Sequence, residues 1–332
     1  MQHVSCGVQW DLAKMAEQVM LACRAMRCRF ELVLYGDDPV RLRAAGEEAL
    51  EEIVRLDAQL SAFNPASEIS EINARAHEEP VRIDPRLVRL LKRLAELSRI
   101  TNGAFDPTVA PLMRCWGFRG ERPSEGVPSA EEIRAALDSV GMEHVEIDED
   151  SSSVRFLKPG MSLDLGAVGK GYAIDRAAAC LRELGIVCAF LHGGTSTSYG
   201  LGKPPGGVGW SVRVSCGDGL PQAPAVFHLR DTALSVSAVH GREVRIGGKT
   251  YGHVIDPRTG QPVRGTLLAA VTADSGTDAE ALSTALLVLG PQWLSELARA
   301  DPRAEALVLR RDSDAGVVRV SRLSNGQVTS EE

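Results

Sequence analysis

Residues 250–263, TYGHVIDPRTGQPV, gather a histidine, an aspartate, an arginine and two glycines around Pro257. Pro257 cannot donate a ladder hydrogen bond, and Thr259-Gly260 favours a reversal after it, so the stretch reads as a turn. A turn accounts for Pro257 and Gly260 but not for His253, Asp256 and Arg258. His253 follows strand-like residues and precedes the forced turn, a place from which a side chain is aimed into a cleft. An imidazole placed there can move a proton or donate to an anion. Asp256 and Arg258 read as the residues that fix the turn and so aim His253.

Two further stretches have the residue types for chemistry. In LDLGAVGKGYAIDRA (163–177), Gly166, Gly169 and Gly171 let backbone approach a bulky anion, and Lys170 supplies charge at a helix start. The pattern is neither a phosphate loop nor G-x-G-x-x-G, and a tight strand-to-helix turn with a solvated lysine fits it equally. In TDAEALSTALLVLG (277–290), Glu280 and Thr284 stand four apart on one helical face, where hard oxygen ligands converge on one cation. Asp278 lies near the same end. The plainer reading of this stretch is a helix capped by Thr277 or Asp278 with an exposed Glu280.

These residues need elements to hold them. RFELVLYG (29–36) alternates as a strand, and DDPVRLRAAGEEALEEIVRLDAQLSAF reads as a long helix ending near Asn64-Pro65. A second helix is predicted over 85–100, then a turn in TNGAFDPTVAPL. Residues 120–130 form a surface excursion, with Ser129 capping a helix through Leu137. VEIDEDSSSVRFLKPG reads as a hairpin, and the 163–177 stretch as a Gly-rich turn running into an amphipathic helix. Short strands follow in CAFLHGG, WSVRVSCG, AVFHLRD and ALSVSA, then a hairpin around Gly247-Gly248. LLAAVTAD is a strand, and the helix after it stops at Gly290. Helices and meandering strands interleave irregularly, which favours α+β over a doubly wound sheet.

The chain has 332 residues, 44% of them hydrophobic, enough for one large or two modest cores. Seven cysteines, with no C-x-x-C pair, argue against a disulfide framework or a zinc site. A net charge of −7 argues against nucleic acid or an anionic membrane as the main partner. An anionic ligand then needs a local positive centre such as a helix N-terminus, a lysine or a metal. No stretch approaches the roughly 20 apolar residues of a transmembrane segment, and the start is interrupted by Asp11, Lys14 and Glu17. MLAC, ending at Cys23, has the outline of a lipoprotein cleavage site without the apolar run before it. As written, the chain is expected to stay in the cytoplasm.

Six stretches, in this order, resemble the ApbE family, the FAD:protein FMN transferases. They are LDAQLSAFNPASEISEIN (56–73), TNGAFDPTVAPLMRCWGF (101–118), LDLGAVGKGYAIDRA (163–177), HGGTSTSYG (192–200), YGHVIDPRTGQPV (251–263) and AEALSTALLVLG (279–290). The resemblance implies an α+β fold of antiparallel or mixed sheets with packed helices and a nucleotide site between its two halves. It implies an N-terminal extension (1–25), a transferase domain (26–310) and a C-terminal segment (311–332) with a partly frayed tail. It further implies magnesium-dependent transfer of FMN from FAD to a threonine or serine hydroxyl of an acceptor protein, releasing AMP.

By the same resemblance FAD is held by Met26, Phe63, Ala104, Phe105, Asp106, Asp164 and Lys170, with His253 and Val254 beside the nucleotide. Magnesium (Mg2+) is held by the Ala167 carbonyl, Glu280, Ser283 and Thr284. His253 could orient or deprotonate the incoming hydroxyl, or donate to a phosphate oxygen, and the sequence leaves these open. The chain departs from the family pattern at four places: Glu280 stands for the usual aspartate, Arg27-Cys28 for Gly-Thr, His192 for asparagine and Gly252 for serine. Two other readings stay open: the same site with water as the attacking group, an FAD pyrophosphatase releasing FMN and AMP, and a flavin-binding protein without catalysis, which the departures at Glu280 and Arg27-Cys28 keep alive. Family members often work outside the cytoplasmic membrane.

Overall fold

The structure, a computed structural model, describes residues 17–120, 126–215, 225–239, 241, 243–311 and 317–331. The interrupted start (1–16), the centre of the 120–130 excursion (121–125), Cys6 and Cys216 lie outside the described residues.

Eight helices are described: α1 (Pro39–Leu60), α2 (Glu68–Arg75), α3 (Pro85–Ile100), α4 (Ala110–Cys115), α5 (Ala130–Leu137), α6 (Gly169–Glu183), α7 (Gly276–Leu289) and α8 (Leu294–Ala300). The strands open with β1 (Glu17–Ala25), β2 (Cys28–Gly36), β3 (Val81–Arg82), β4 (Val145–Asp148), β5 (Ser153–Phe156) and β6 (Ala189–Gly193). They continue with β7 (Thr197–Leu201), β8 (Trp210–Val214), β9 (Ala225–Leu229), β10 (Thr232–Ala238), β11 (Glu243–Ile246) and β12 (Lys249–Gly252). The last are β13 (Ile255–Asp256), β14 (Gln261–Pro262), β15 (Thr266–Ala273), β16 (Ala306–Arg311), β17 (Val318–Ser324) and β18 (Gln327–Glu331).

Nine strands make the main sheet in the order β1-β2-β6-β7-β10-β15-β16-β17-β18, every neighbouring pair antiparallel. Period-two alternation sends side chains to both faces. Phe30, Leu32 and Leu34 of β2 join the core under α1, α6 and α7, whereas Val33 joins Trp210 and Phe227 of the β8–β9 hairpin on the opposite face. In β15, Ala269 and Val271 face the helices and Leu268 and Ala270 face the hairpin. A third apolar cluster binds α4 and α5 to the β11–β12 hairpin through Leu112, Trp116, Ile133, Tyr251 and Ile255.

The predicted punctuation is physically present. Asp38 caps α1 by accepting from Val40 N and Arg41 N, with Pro39 as the first helical residue. Ser129 and Glu132 form a capping box on α5. Gly247 and Gly248, at φ 56° and 77°, make the β11–β12 turn, and Gly290, at φ 78°, closes α7. Two expectations change. Residues 17–25, read as part of an extension, form edge strand β1, and the tail read as frayed forms β18, paired with β17 from Val320↔Glu331 to Ser324↔Gln327. Every residue of β18 is exposed, so burial leaves no alternation in its sequence, and the strand is held by backbone pairing and the Ser321–Ser330 hydroxyl contact.

Candidate functional site

The α6–α7 seam is the most constrained part of the site. A Cβ on Gly171 would stand 2.2 Å from the Gly276 carbonyl oxygen, and one on Gly276 would stand 2.7 Å from that of Gly171. The two helices therefore meet backbone to backbone, which only glycine permits. Asp175, one turn beyond Gly171, accepts from Gly276 N (2.5 Å), Thr277 N (2.9 Å) and Thr277 Oγ1 (2.6 Å). Burial raises its carboxyl to about 6 against the lowering effect of those donors. The helix cap is Ser275, which accepts from Asp278 N, and not the expected Thr277 or Asp278. Asp278 instead receives Arg93 of α3 at 2.9 and 2.8 Å.

This seam brings together two residues singled out separately in the sequence. Lys170 Nζ lies 2.9 Å from Glu280 Oε1. Glu280, 2% exposed, also accepts from Gly171 N (2.8 Å) and from Thr197 Oγ1 of β7 (2.5 Å). The exposed glutamate of the plainer reading is thus replaced by a buried, fully engaged one, and the solvated lysine by an ion-paired one. Burial alone would lower the Lys170 ammonium, but the charge and hydrogen bond of Glu280 carry it above its ordinary value. Thr197 does not stand out in the sequence as a single residue, although its stretch does. Its hydroxyl lies close in chain to the HGG turn, which is the one available signal.

Next to Glu280, Ser283 Oγ donates to Ser235 Oγ (3.0 Å) and to the Glu280 carbonyl (3.1 Å), and Ser237 Oγ lies 2.9 Å from Ser283 Oγ and 3.3 Å from Thr284 Oγ1. Among the described residues no group of three or more His, Cys, Asp or Glu forms a metal cluster. The donors here are one carboxylate, hydroxyls and the backbone of the exposed Ala167, which is the hard-oxygen class that Mg2+ takes. The fit carries one condition: Lys170 now supplies the positive charge at Glu280, so a cation on that carboxylate needs Lys170 to turn elsewhere.

A second cluster forms from loops. Phe63 follows α1, with its amide and that of Asn64 donating to Ser61 Oγ. The Arg119 guanidinium lies 4.8 Å from the Phe63 ring centroid and its Nη2 lies 2.7 Å from Asp164 Oδ2. Asp164 N donates to Pro107 O (2.7 Å), tying this loop to the one that holds Ala104, Phe105 and Asp106. Those three are buried, and Asp106 accepts from Ser98, from both the amide and hydroxyl of Thr108, and from Met142 N. Asp106 therefore holds its loop in shape, and burial raises its carboxyl. Asn73, last residue of the first matching stretch, bonds both backbone groups of Leu163 and fixes the start of the LDLG loop.

Met26 sits in the β1–β2 turn, its Sδ 3.7 Å from where a Cβ on Gly169 would be. Met26 and Arg27 both have positive φ, 48° and 61°, so Arg27 occupies a left-handed position that favours glycine. Cys28 lies against Gly194, and burial first, then Glu280, push its thiol to about 11 despite Lys170, which leaves it a poor nucleophile. His192 is held on β6 by its cross-strand partner Glu31 at 2.7 Å. A Cβ on Gly252 would stand 2.8 Å from the Val239 carbonyl oxygen, which leaves no room for a serine there.

His253 and Val254, both half-buried, lie between β12 and β13. The turn after them is built as expected: Asp256 accepts from Arg258 N, Nε and Nη2 at 3.0, 2.9 and 2.8 Å, and the Gly260 carbonyl accepts from Trp116 Nε1. Arg258 also packs beside Gly103, whose Cβ would lie 3.6 Å away, so this turn abuts the loop that leads to Ala104.

Comparison with known proteins gives the family of the chain. The model of the ApbE family matches residues 26–308. A Vibrio cholerae FAD:protein FMN transferase is 28% identical over 306 residues, 90% of this chain and 90% of that protein. Its Escherichia coli K12 counterpart is 27% identical, with 89% and 85% covered. The solved ApbE protein of Thermotoga maritima superimposes with a TM-score of 0.78 at 29% identity, covering 91% of this chain and 96% of that one. Pseudomonas stutzeri flavinyl transferase ApbE, in its apo form, gives 0.79 at 27%, covering 93% and 96%. With a family match over most of its length, on an α+β architecture shared with solved members, the chain belongs to the ApbE family and is a transferase.

Proposed function

We propose that this chain transfers FMN from FAD to a threonine or serine hydroxyl of an acceptor protein. The acceptor oxygen bonds to the FMN phosphorus, the pyrophosphate P–O bond breaks, and AMP leaves with the bridging oxygen. The observation that carries this reading is convergence: Lys170 meets Glu280, Met26 meets Gly169, and Phe63 and Asp164 share Arg119, although these residues come from separate segments.

Lys170 supplies a held positive charge for phosphoryl oxygens, released from Glu280 when the anion arrives. Glu280, Ser283, Thr284 and the Ala167 carbonyl would hold Mg2+, which neutralises phosphoryl charge when bound. His253 orients the acceptor hydroxyl and takes its proton, or donates to a phosphate oxygen, on a base kept in place by the Asp256–Arg258 pair.

Incubating the purified protein with FAD and Mg2+, with and without a flavin-accepting protein, tests the proposal. Covalent FMN on the acceptor with stoichiometric AMP is expected. AMP release without acceptor would make the chain an FAD pyrophosphatase, and bound, intact FAD in both arms would make it a flavin binder.

A further inference from the structure

Arg119 is not among the residues suggested by the sequence, yet it touches two that are. Its side chain is 13% exposed and that of Asp164 is 12% exposed, whereas Phe63 is 60% exposed. A guanidinium is a flat cation that pairs with a carboxylate along its edge while stacking on an aromatic ring with its face. Arg119 makes both contacts, so it covers one side of the Phe63 ring and fastens it to the LDLG loop. Backbone bonds to Ser61 restrain the turn below the ring. A large apolar ring on a turn, held on one side and exposed for more than half its surface, has its ordering cost met before any ligand arrives.

We propose that Arg119 is a positioning residue for a ring-stacking subsite: it holds Phe63 against the Asp164 loop so that the open part of the ring receives a planar heteroaromatic group of the nucleotide. The inference rests on the flavin-transfer reading above. Its ligand chemistry is a flat heteroaromatic ring, and in FAD that is either the adenine or the isoalloxazine. Lysine would keep the charge toward Asp164 but not the stacked face. Methionine would keep bulk but neither contact.

The test measures dissociation constants of FAD, FMN and ADP, with thermal midpoints and transfer kinetics, for the parent, Arg119→Met, Arg119→Lys, Phe63→Ala and the Phe63→Ala/Arg119→Met double variant. Arg119→Met is expected to weaken FAD about tenfold and raise KM in parallel, with kcat within about threefold. Arg119→Lys should recover part of that loss. The double variant should bind no more weakly than Phe63→Ala alone, because Arg119 acts through that ring. A loss shared by FMN and not ADP assigns the isoalloxazine to Phe63, and the converse assigns the adenine. Unchanged FAD affinity in both Arg119 variants, or additive losses in the double variant, overturns the proposal. If the parent itself fails to bind FAD, the flavin-transfer reading falls first, and the positioning role with it.

Discussion

The α6–α7 seam and the Phe63–Arg119–Asp164 cluster solve the same problem in opposite ways. At the seam two helices touch through glycine backbone, and the charged pair Lys170–Glu280 sits among donors fixed by those helices. In the cluster three loops are joined by one guanidinium, and the aromatic ring they hold stays largely exposed. Charge needs placement to a few tenths of an ångström and protection from water, which regular structure supplies. A flat ring needs an open face and tolerates small shifts, which loops supply. The difference teaches that mutations that force the two helices apart should change stability and turnover together, and mutations in the cluster chiefly affinity.

The largest expected effect breaks the seam. Gly171→Ala drives a methyl into the Gly276 carbonyl, so unfolding stability should fall by about 3 kcal/mol and transfer by on the order of 10². Denaturant unfolding and steady-state rates check both, and a parent-like alanine variant would show that the seam is not close-packed in solution. His253→Ala sharpens the contrast by touching neither region: transfer should drop by on the order of 10² with FAD affinity within a few-fold. Equal losses of binding and turnover would make it a structural histidine.

A smaller effect is expected at Glu280. Glu280→Gln keeps one acceptor oxygen for Gly171 N and loses the charge facing Lys170, so transfer should fall roughly tenfold and half-maximal activity should need more Mg2+. Glu280→Asp should keep or improve activity, and chelation should abolish it in all three proteins. A glutamine variant that titrates with Mg2+ like the parent would remove the carboxylate from the ligand set.

Asp175→Asn should change turnover least and the pH profile most clearly. With the carboxyl raised from 3.8 to about 6, the folded protein binds more protons than the unfolded one between those values. Stability from this group is therefore greatest below about pH 4 and declines as pH rises to about 6, by about 1.4 kcal/mol for each pH unit in that window. Asparagine cannot ionise, so urea unfolding between about pH 4 and 7 should lose that slope. An unaltered slope would place the titrating group elsewhere.

Much of the framework was legible because local rules set it. Asp38-Pro39, the Ser129–Glu132 box and Gly247-Gly248 each act within a few residues. The β18 edge of the sheet was not, since every residue of β18 is exposed and the strand is held by main-chain pairing with β17. The site divides likewise. Asp256 and Arg258 belong to the turn by their spacing, and the turn uses them so. That Lys170 answers Glu280, or that Arg119 joins Phe63 to Asp164, depends on tertiary contact between distant segments, and no periodicity encodes it. Arg119 carried one hint, a cation directly after the WGF of a matching stretch. Asp175 carried another, its i+4 spacing from Gly171 on the same helical face.

The order of strands in the main sheet has a consequence for how the protein comes into being. β2 pairs with β6 from Phe30↔Gly193 to Leu34↔Ala189, so the whole of residues 37–188 must be looped out before that ladder can close. Loop closure of this length is a slow step, and the first hairpin waits with an unpaired inner edge while it happens. Lys170 has no partner until α7 has been made, and Thr197 and Glu280 arrive in that order along the chain. A nascent chain on the ribosome would therefore carry the loops of the proposed nucleotide site well before it had the Lys170–Glu280 pair. Competence for chemistry should appear as one late event, coupled to the docking of α7, and not grow by degrees as synthesis proceeds.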